Sequence, residues 1–158
     1  MIPTIHRLEE KKLIGQCLEM SMKDSKIGEL WRSFLPKRKE IANHVSNDLI
    51  SLAVYKPSHF SDFDPTNKFE RWAAVEVADF DNIPNGLCPF VLPDGLYAVF
   101  HYVGSSADSS IFQYIFGIWL PKSDYTLDDR PHFEVLGDNY KNNDPTSEEE
   151  IWIPIKER

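Results

Sequence analysis

The sequence predicts an α+β fold: a pseudo-twofold pair of βαββ units sharing an antiparallel sheet, with helices on one face and a central groove suited to a ligand. Three observations predict it. Each half of the 158-residue chain runs strand, helix, strand, strand. Each main helix ends in the same tripeptide, Leu35-Pro36-Lys37 in the first half and Leu120-Pro121-Lys122 in the second. Helices laid on one face of such a sheet also satisfy the burial that both kinds of element need. No linker separates the halves, so one domain over residues 1–158 is expected.

In the first half, Leu13 to Met20 mixes apolar and polar residues and reads as a strand. A helix fits Ile27 to Leu35, because Ile27, Leu30, Trp31, Phe34 and Leu35 fall on one arc at ~100° per residue. Pro36 should end or kink it. Ile41, Ala42 and Val45 then suggest a second helical piece. Leu49 to Tyr55 reads as a strand, and Lys56 to Lys68, with its prolines, aspartates and hydroxyl residues, as a loop. Phe69 to Asp79 alternates Ala73, Val75 and Val77 against Trp72, Ala74 and Glu76, the mark of a strand. Asp81 to Gly86 is a turn-rich connector.

In the second half, Phe90-Val91-Leu92 precedes the turn Pro93-Asp94-Gly95, and Leu96 to Val103 is the strongest strand in the chain. Gly104 to Asp108 is a turn in which Ser106 or Asp108 could cap the next element. That element is a helix from Ser109 to Leu120, stopped by Pro121. Phe133 to Leu136 and Glu149 to Ile155 are the last two strands, and Asn139 to Glu150 is a polar, acidic loop.

Composition narrows the function. The formal net charge of −8 argues against contact with a nucleic-acid backbone, which needs a cationic surface. It suits a cationic ligand or a basic protein partner. Aromatic residues reach 13%, enough to fill a core and also line a cavity. Cys17 and Cys88 form no CxxC unit and are expected to be buried free thiols. The N-terminus has no signal-peptide core and no apolar run approaches the ~18 residues of a membrane span, so a cytoplasmic location without membrane association is expected. The five histidines, His6, His44, His59, His101 and His132, lack metal-ligand spacing. Neither a Gly-rich phosphate loop nor a GxSxG elbow is present. No metal and no cofactor are therefore expected.

Several residues stand out. On the second helix Ile111, Phe112, Tyr114, Ile115, Phe116, Ile118 and Trp119 span about 200° of the wheel, against the ~100° or somewhat more that a surface helix needs. That helix should be covered on two sides: by the sheet, and by a cavity, the first helix or a partner chain. Glu134 sits inside the apolar run Phe133-Glu134-Val135-Leu136. Facing water it is ordinary; buried, it needs a donor or a cation, and among aromatics it suits a lipophilic cation or a general base. Trp152 lies on the strand face opposite Ile151, Ile153 and Ile155, and Trp72 opposite Ala73, Val75 and Val77. Tyr55 and Tyr97 offer hydroxyls at strand positions, or are core residues with a polar tip.

Five segments resemble one family in the correct order: Leu92-Pro93-Asp94-Gly95-Leu96-Tyr97-Ala98-Val99-Phe100, His101-Tyr102-Val103-Gly104, Trp119-Leu120-Pro121-Lys122-Ser123-Asp124-Tyr125, Pro131-His132-Phe133-Glu134-Val135 and Glu150-Ile151-Trp152-Ile153-Pro154-Ile155. The chain resembles the GyrI-like small-molecule-binding domain, also called the AraC effector-binding domain, most strongly from Trp72 to Lys156. The resemblance implies paired βαββ units with a central groove, in which a glutamate surrounded by aromatics binds hydrophobic cations. By motif that glutamate is Glu134. The implied pocket aromatics are Trp31 or Phe34, Tyr55, Phe112 or Tyr114, and Trp152. One departure is Leu136, where the family motif often has tyrosine.

Family regulators fuse this domain to a helix-turn-helix segment; this chain begins almost at the first strand, so a stand-alone member is expected. The resemblance implies drug or toxin sensing or sequestration. It also implies two alternatives. One is a hydrolase opening electrophilic cyclopropane-containing toxins, with Glu134 as catalytic carboxylate, Trp72 or Trp152 stacking on the ligand and a tyrosine hydroxyl stabilising developing charge. The other is a modulator of a protein partner such as DNA gyrase.

Overall fold

The computed structural model describes residues 1–158. The strands are β1 (Thr4–Leu8), β2 (Lys11–Ser21), β3 (Leu49–Val54), β4 (Lys68–Val77), β5 (Cys88–Leu92), β6 (Gly95–Val103), β7 (Tyr125–Leu127), β8 (His132–Leu136) and β9 (Glu148–Glu157). Helix α1 is Ile27–Lys37. Helix α2 starts as Ser110–Tyr114, passes through a π-helical turn at Ile115–Trp119 and ends as Leu120–Lys122.

All nine strands join one antiparallel sheet in the order β1-β6-β9-β8-β3-β4-β2-β5, with β7 extending the far end of β9. The order has the expected pseudo-symmetry. Strands β2, β4 and β3 with α1 form one βαββ unit; β6, β9 and β8 with α2 form the other. The units meet where β3 pairs β8, Leu49 opposite Leu136 and Ala53 opposite His132. Each unit also receives an outer strand from the other half of the chain: β1 pairs β6 and β5 pairs β2. The two halves are thus laced together.

Strand alternation distributes the core. Under α1, Leu30 and Phe34 pack on Ile14, Met20, Ala73, Val75 and Val77. Under α2, Ile111 and Ile115 pack on Ala98, Phe100, Ile151, Ile153 and Ile155. The opposite, helix-free face holds a third cluster that includes Leu13, Leu52, Trp72, Tyr97 and Phe133. Between the two helix-covered clusters the sheet face carries neither helix, and a hollow remains.

Some elements differ from the sequence expectation. β1 lies outside the predicted strands: only Leu8 of its five residues is buried, so an edge strand of this kind shows no alternation. β7 has three residues, too few for a period. After Pro36, which α1 accommodates in its last turn, there is a 3₁₀ turn at Arg38–Glu40 instead of a longer helical piece. Ile41 is extended and buried, and the Val45 N–H donates to the Glu76 carbonyl at 3.0 Å, so this segment lies along β4. Cys17 and Cys88 are free but exposed, not buried. Cys88 begins the edge strand β5, where nothing covers the sheet's rim. No helix is long and apolar enough to cross a membrane.

Candidate functional site

A cavity of about 1190 Å³ occupies the helix-bearing face at the seam between the units. Ligand pockets of drug-sized molecules run from about 300 to 1,000 Å³, so this one is roomy. Its floor follows from strand register. Directly opposed residues share a face, and so do residues two apart on a strand. Ser51 opposes Glu134, and Glu134 opposes Ile151. Two residues before Ile151 stands Glu149, which opposes Tyr102. On the other side Ala53, two after Ser51, opposes Arg71. Arg71, Ser51, Glu134, Glu149 and Tyr102 therefore form one polar band across the seam.

The band is connected. Arg71 Nη2 donates to Ser51 Oγ at 2.8 Å and its Nε does so at 3.2 Å. The same Nη2 stands 3.7 Å from Glu134 Oε1, and both side chains are only about a fifth exposed. Glu149 is 7% exposed, and its Oε2 has no hydrogen-bond partner. Burial pushes the Glu149 carboxyl up to about 8; the charge of Glu134 and a hydrogen bond with it add to the rise, and Arg71 opposes it. At neutral pH the pair therefore holds a proton.

The walls are aromatic. Tyr55, just after β3, packs against His59, Phe60, Phe69 and His132, with ring centroids 4.5, 4.9, 5.0 and 4.9 Å away. Phe60 stacks on Phe116 of α2 at 5.2 Å and on His132 at 5.3 Å, so the loop after β3 reaches across to the second unit. Burial drives His132 down to about 3, with the neighbouring His59 and the cations Arg71 and Arg130 adding to the fall, and the imidazole is neutral. Burial also raises Tyr55, Arg71 opposing and Glu134 reinforcing. Trp31 of α1 and Phe112 of α2 border the cavity from either side, and Phe63 lines it while 55% exposed.

Of the residues singled out from sequence, Glu134, Tyr55, Trp31 and Phe112 come together here. Four others do not line the cavity. Phe34 faces the sheet beneath α1 and is fully buried in that core. Trp72 lies in the helix-free cluster, tilted against Phe90 at 5.0 Å. Tyr97 lies in the same cluster, its hydroxyl donating to the Pro131 carbonyl at 2.8 Å and its ring under the Arg130 guanidinium at 4.7 Å. Burial raises that hydroxyl to about 12. Tyr114 points to the chain start, donating to the Met1 carbonyl at 2.8 Å. The remaining candidate, Trp152, belongs to a strand that borders the cavity, but its ring lies on the other face, stacked on Phe133 at 5.0 Å and edge-on to His6 at 5.3 Å. There it flanks a second hollow of about 420 Å³.

Sequence reasoning missed Arg71, Glu149, Phe60, Phe116 and His132 as cavity residues. Glu149 had a readable signal: period-two alternation puts it on the same face as Ile151, Ile153 and Ile155. Phe60 and Phe63 were apolar rings in an otherwise polar loop, which is a sign of packing. Arg71 had none, since nothing local says which strand will lie two away from Glu134.

Paired βαββ units with a hollow at their seam define a class of small-molecule-binding domains, the effector-binding domains. The chain belongs to the Cass2 family, the integron-associated effector binding proteins, whose family model matches residues 4–155. It is 28% identical over 131 residues to the transcriptional regulator BrlR of Pseudomonas aeruginosa, covering 82% of this chain and 46% of that protein. The chain thus spans under half the length of that curated relative. Among solved structures it is similar to SAV2435 bound to tetraphenylphosphonium, with a TM-score of 0.73, 17% identity, and coverage of 99% of this chain and 94% of that one. An integron cassette protein from the mobile metagenome of Vibrio cholerae matches with a TM-score of 0.66 and 16% identity over 97% of this chain and 95% of that one.

Proposed function

We propose that this chain binds hydrophobic aromatic cations in the seam cavity, with Glu134 as the polar centre and the surrounding rings as the wall. The observation that carries the reading is the Glu134 carboxylate, held by a single guanidinium at 3.7 Å, on the floor of a cavity walled by Tyr55, Phe60, Phe112 and Phe116. A carboxylate supplies charge pairing, and ring faces add about 0.5–2 kcal/mol each where a cation is desolvated against them. The likeness to a protein seen with tetraphenylphosphonium supports the choice of probe. The role is sensing or sequestration of such molecules.

Titration with tetraphenylphosphonium tests it. Trp31 borders the cavity and should report binding by quenching. Glu134→Gln keeps the side-chain shape and removes the charge. We expect at least tenfold weaker binding with the thermal midpoint of unfolding nearly unchanged. Equal affinity in the variant would remove Glu134 from the centre of the site.

One observation favours a second reading. Glu149, its carboxyl raised by burial, stands beside Glu134, and paired carboxyl groups are the arrangement used for acid and base work. In a hydrolase opening a cyclopropane ring, Glu149 would protonate the carbonyl conjugated with the ring. Glu134 would take a proton from the water that adds to the ring carbon. Incubation with a cyclopropane-bearing electrophile separates the readings: a product heavier by one water means turnover, and quenching at constant mass means binding alone. Neither signal would shift the weight to a protein partner.

A further inference from the structure

The charge count at the cavity floor is unbalanced. Arg71 is the sole Lys or Arg side chain lining the cavity, whereas Glu134 and Glu149 both line it. Arg71 sits against Glu134 at 3.7 Å and makes its short hydrogen bonds to Ser51. Glu149 is left with a buried oxygen, Oε2, that has no partner. The groups that face it offer no second cation. Glu134 of β8 is a second carboxyl group. Tyr102 of β6 is engaged with the Ser105 carbonyl at 2.9 Å. Tyr140, in the turns before β9, and Tyr55 after β3 are neutral phenols raised by burial. Asp108 at the start of α2 is acidic and bound to the Ser110 N–H at 2.9 Å. Burial lowers His132 to about 3 and shifts His59 downward, which disfavours the imidazolium form of both. One uncompensated negative charge in a ring-lined hollow must be neutralised, because an isolated buried ion is strongly disfavoured. A proton does this in the empty protein; a monocation would do it equally well.

We infer that Glu149 is a proton-exchanging specificity residue: uptake of a hydrophobic monocation into the cavity expels one proton from the Glu134–Glu149 pair, whereas a neutral ligand of similar shape binds with that proton retained. The inference rests on reading the cavity as a ligand site. It extends the ligand class to two kinds of molecule with opposite pH dependence. A monocation binds the ionised pair and is favoured by alkaline conditions. A neutral hydrogen-bond acceptor takes the Glu149 O–H and is favoured by acid. Charge balances, since the cation's charge replaces the proton's and the proton leaves to buffer.

The test is calorimetric titration of the wild-type protein with tetraphenylphosphonium at pH 6.5, 7.5 and 9.5, each in two buffers of different ionisation enthalpy. The difference between buffers counts protons released. We expect about one proton at pH 6.5, falling to about zero at pH 9.5, with affinity tightening toward tenfold per pH unit below the pair's titration. Triphenylphosphine oxide, neutral and similar in shape, should release none and bind more tightly at pH 6.5. Glu149→Gln should abolish the proton release and flatten the pH dependence, with its melting curve serving as the check on folding. Tetraphenylphosphonium binding without proton release at pH 6.5 overturns the inference and leaves the binding reading intact. Absence of binding at every pH overturns both. The proton count needs wild-type protein alone, so it decides the matter even where the variant fails to fold.

Discussion

At the scale of single residues, the cavity floor gives up stability for a charge it can later use. Glu149 has its carboxyl raised from 4.5 to about 8 by burial and by Glu134. The folded state then holds a proton that the unfolded state has lost, so stability falls as pH rises across that window. His132 works in the opposite sense. Burial lowers it from 6.5 to about 3, the unfolded chain binds the proton first, and stability falls as pH drops through that range. Between pH 4.5 and 6.5 the two slopes oppose each other. Above 6.5 only Glu149 remains of the two. Urea unfolding of wild type and Glu149→Gln at pH 6.5 and 8.5 should show the variant gaining on wild type as pH rises. Parallel behaviour would mean that Glu149 is ionised in the folded protein already at neutral pH. Glu134 was legible at this scale because a carboxylate inside Phe133-Glu134-Val135-Leu136 needs an explanation. Glu149 was less so, because its neighbours Glu148 and Glu150 give it the look of a solvated acidic run.

At the scale of elements, α2 explains its own breadth. Ile111 and Ile115 face the sheet and are buried; Phe112 and Phe116 turn to the cavity; Trp119 meets Phe100 edge-on at 5.2 Å. The wide apolar arc serves two surfaces, as the wheel indicated. The π-helical turn at Ile115–Trp119 carries Phe116, which lines the cavity, and such turns recur at functional sites. The loop after β3 acts as a strap: Phe60 stacks on Phe116 and His132 from the other unit. Phe60→Ala should weaken tetraphenylphosphonium binding by about 3- to 30-fold, the range of one desolvated cation–π face, and fluorescence titration against wild type measures it. An unchanged dissociation constant would show the strap to be packing only. Legibility here tracked length and period. The long strands β2, β4, β6 and β9 and both helices were readable, while β1 and β7 were not, because a mostly exposed edge strand and a three-residue strand carry no periodic signal.

At the scale of the whole molecule, the two units are joined at one seam and by the exchanged outer strands β1 and β5. Phe133 sits at that seam, 4% exposed, opposite Leu52 across the ladder, stacked on Trp152 at 5.0 Å and edge-on to Tyr97 at 5.3 Å. Phe133→Ala should cost about 3–5 kcal/mol, the usual range for emptying a buried aromatic site. It should do so on the helix-free face, leaving the polar band on the cavity side chemically intact. Denaturant unfolding tests the first part, and residual tetraphenylphosphonium binding at low temperature the second. A loss below about 1 kcal/mol would mean that the seam is held elsewhere.

By itself the sequence determined the order of elements, the repeat of two βαββ units, the placement of an acidic residue within an apolar strand and the two-sided character of the second helix. These are local quantities: propensity, period, and turn chemistry act over a few residues. Only the tertiary structure decided which side of the sheet each strand face would meet. Period two says that Trp72 opposes Ala73, and that Tyr97 opposes Ala98, but not which set lies under a helix. That choice sent Trp72, Tyr97 and the ring of Trp152 to the helix-free cluster, and it brought Arg71, Glu134 and Glu149, from three different strands, onto one floor. Pairing between strands far apart in the chain is set by burial summed over the whole sheet. No single segment carries that sum.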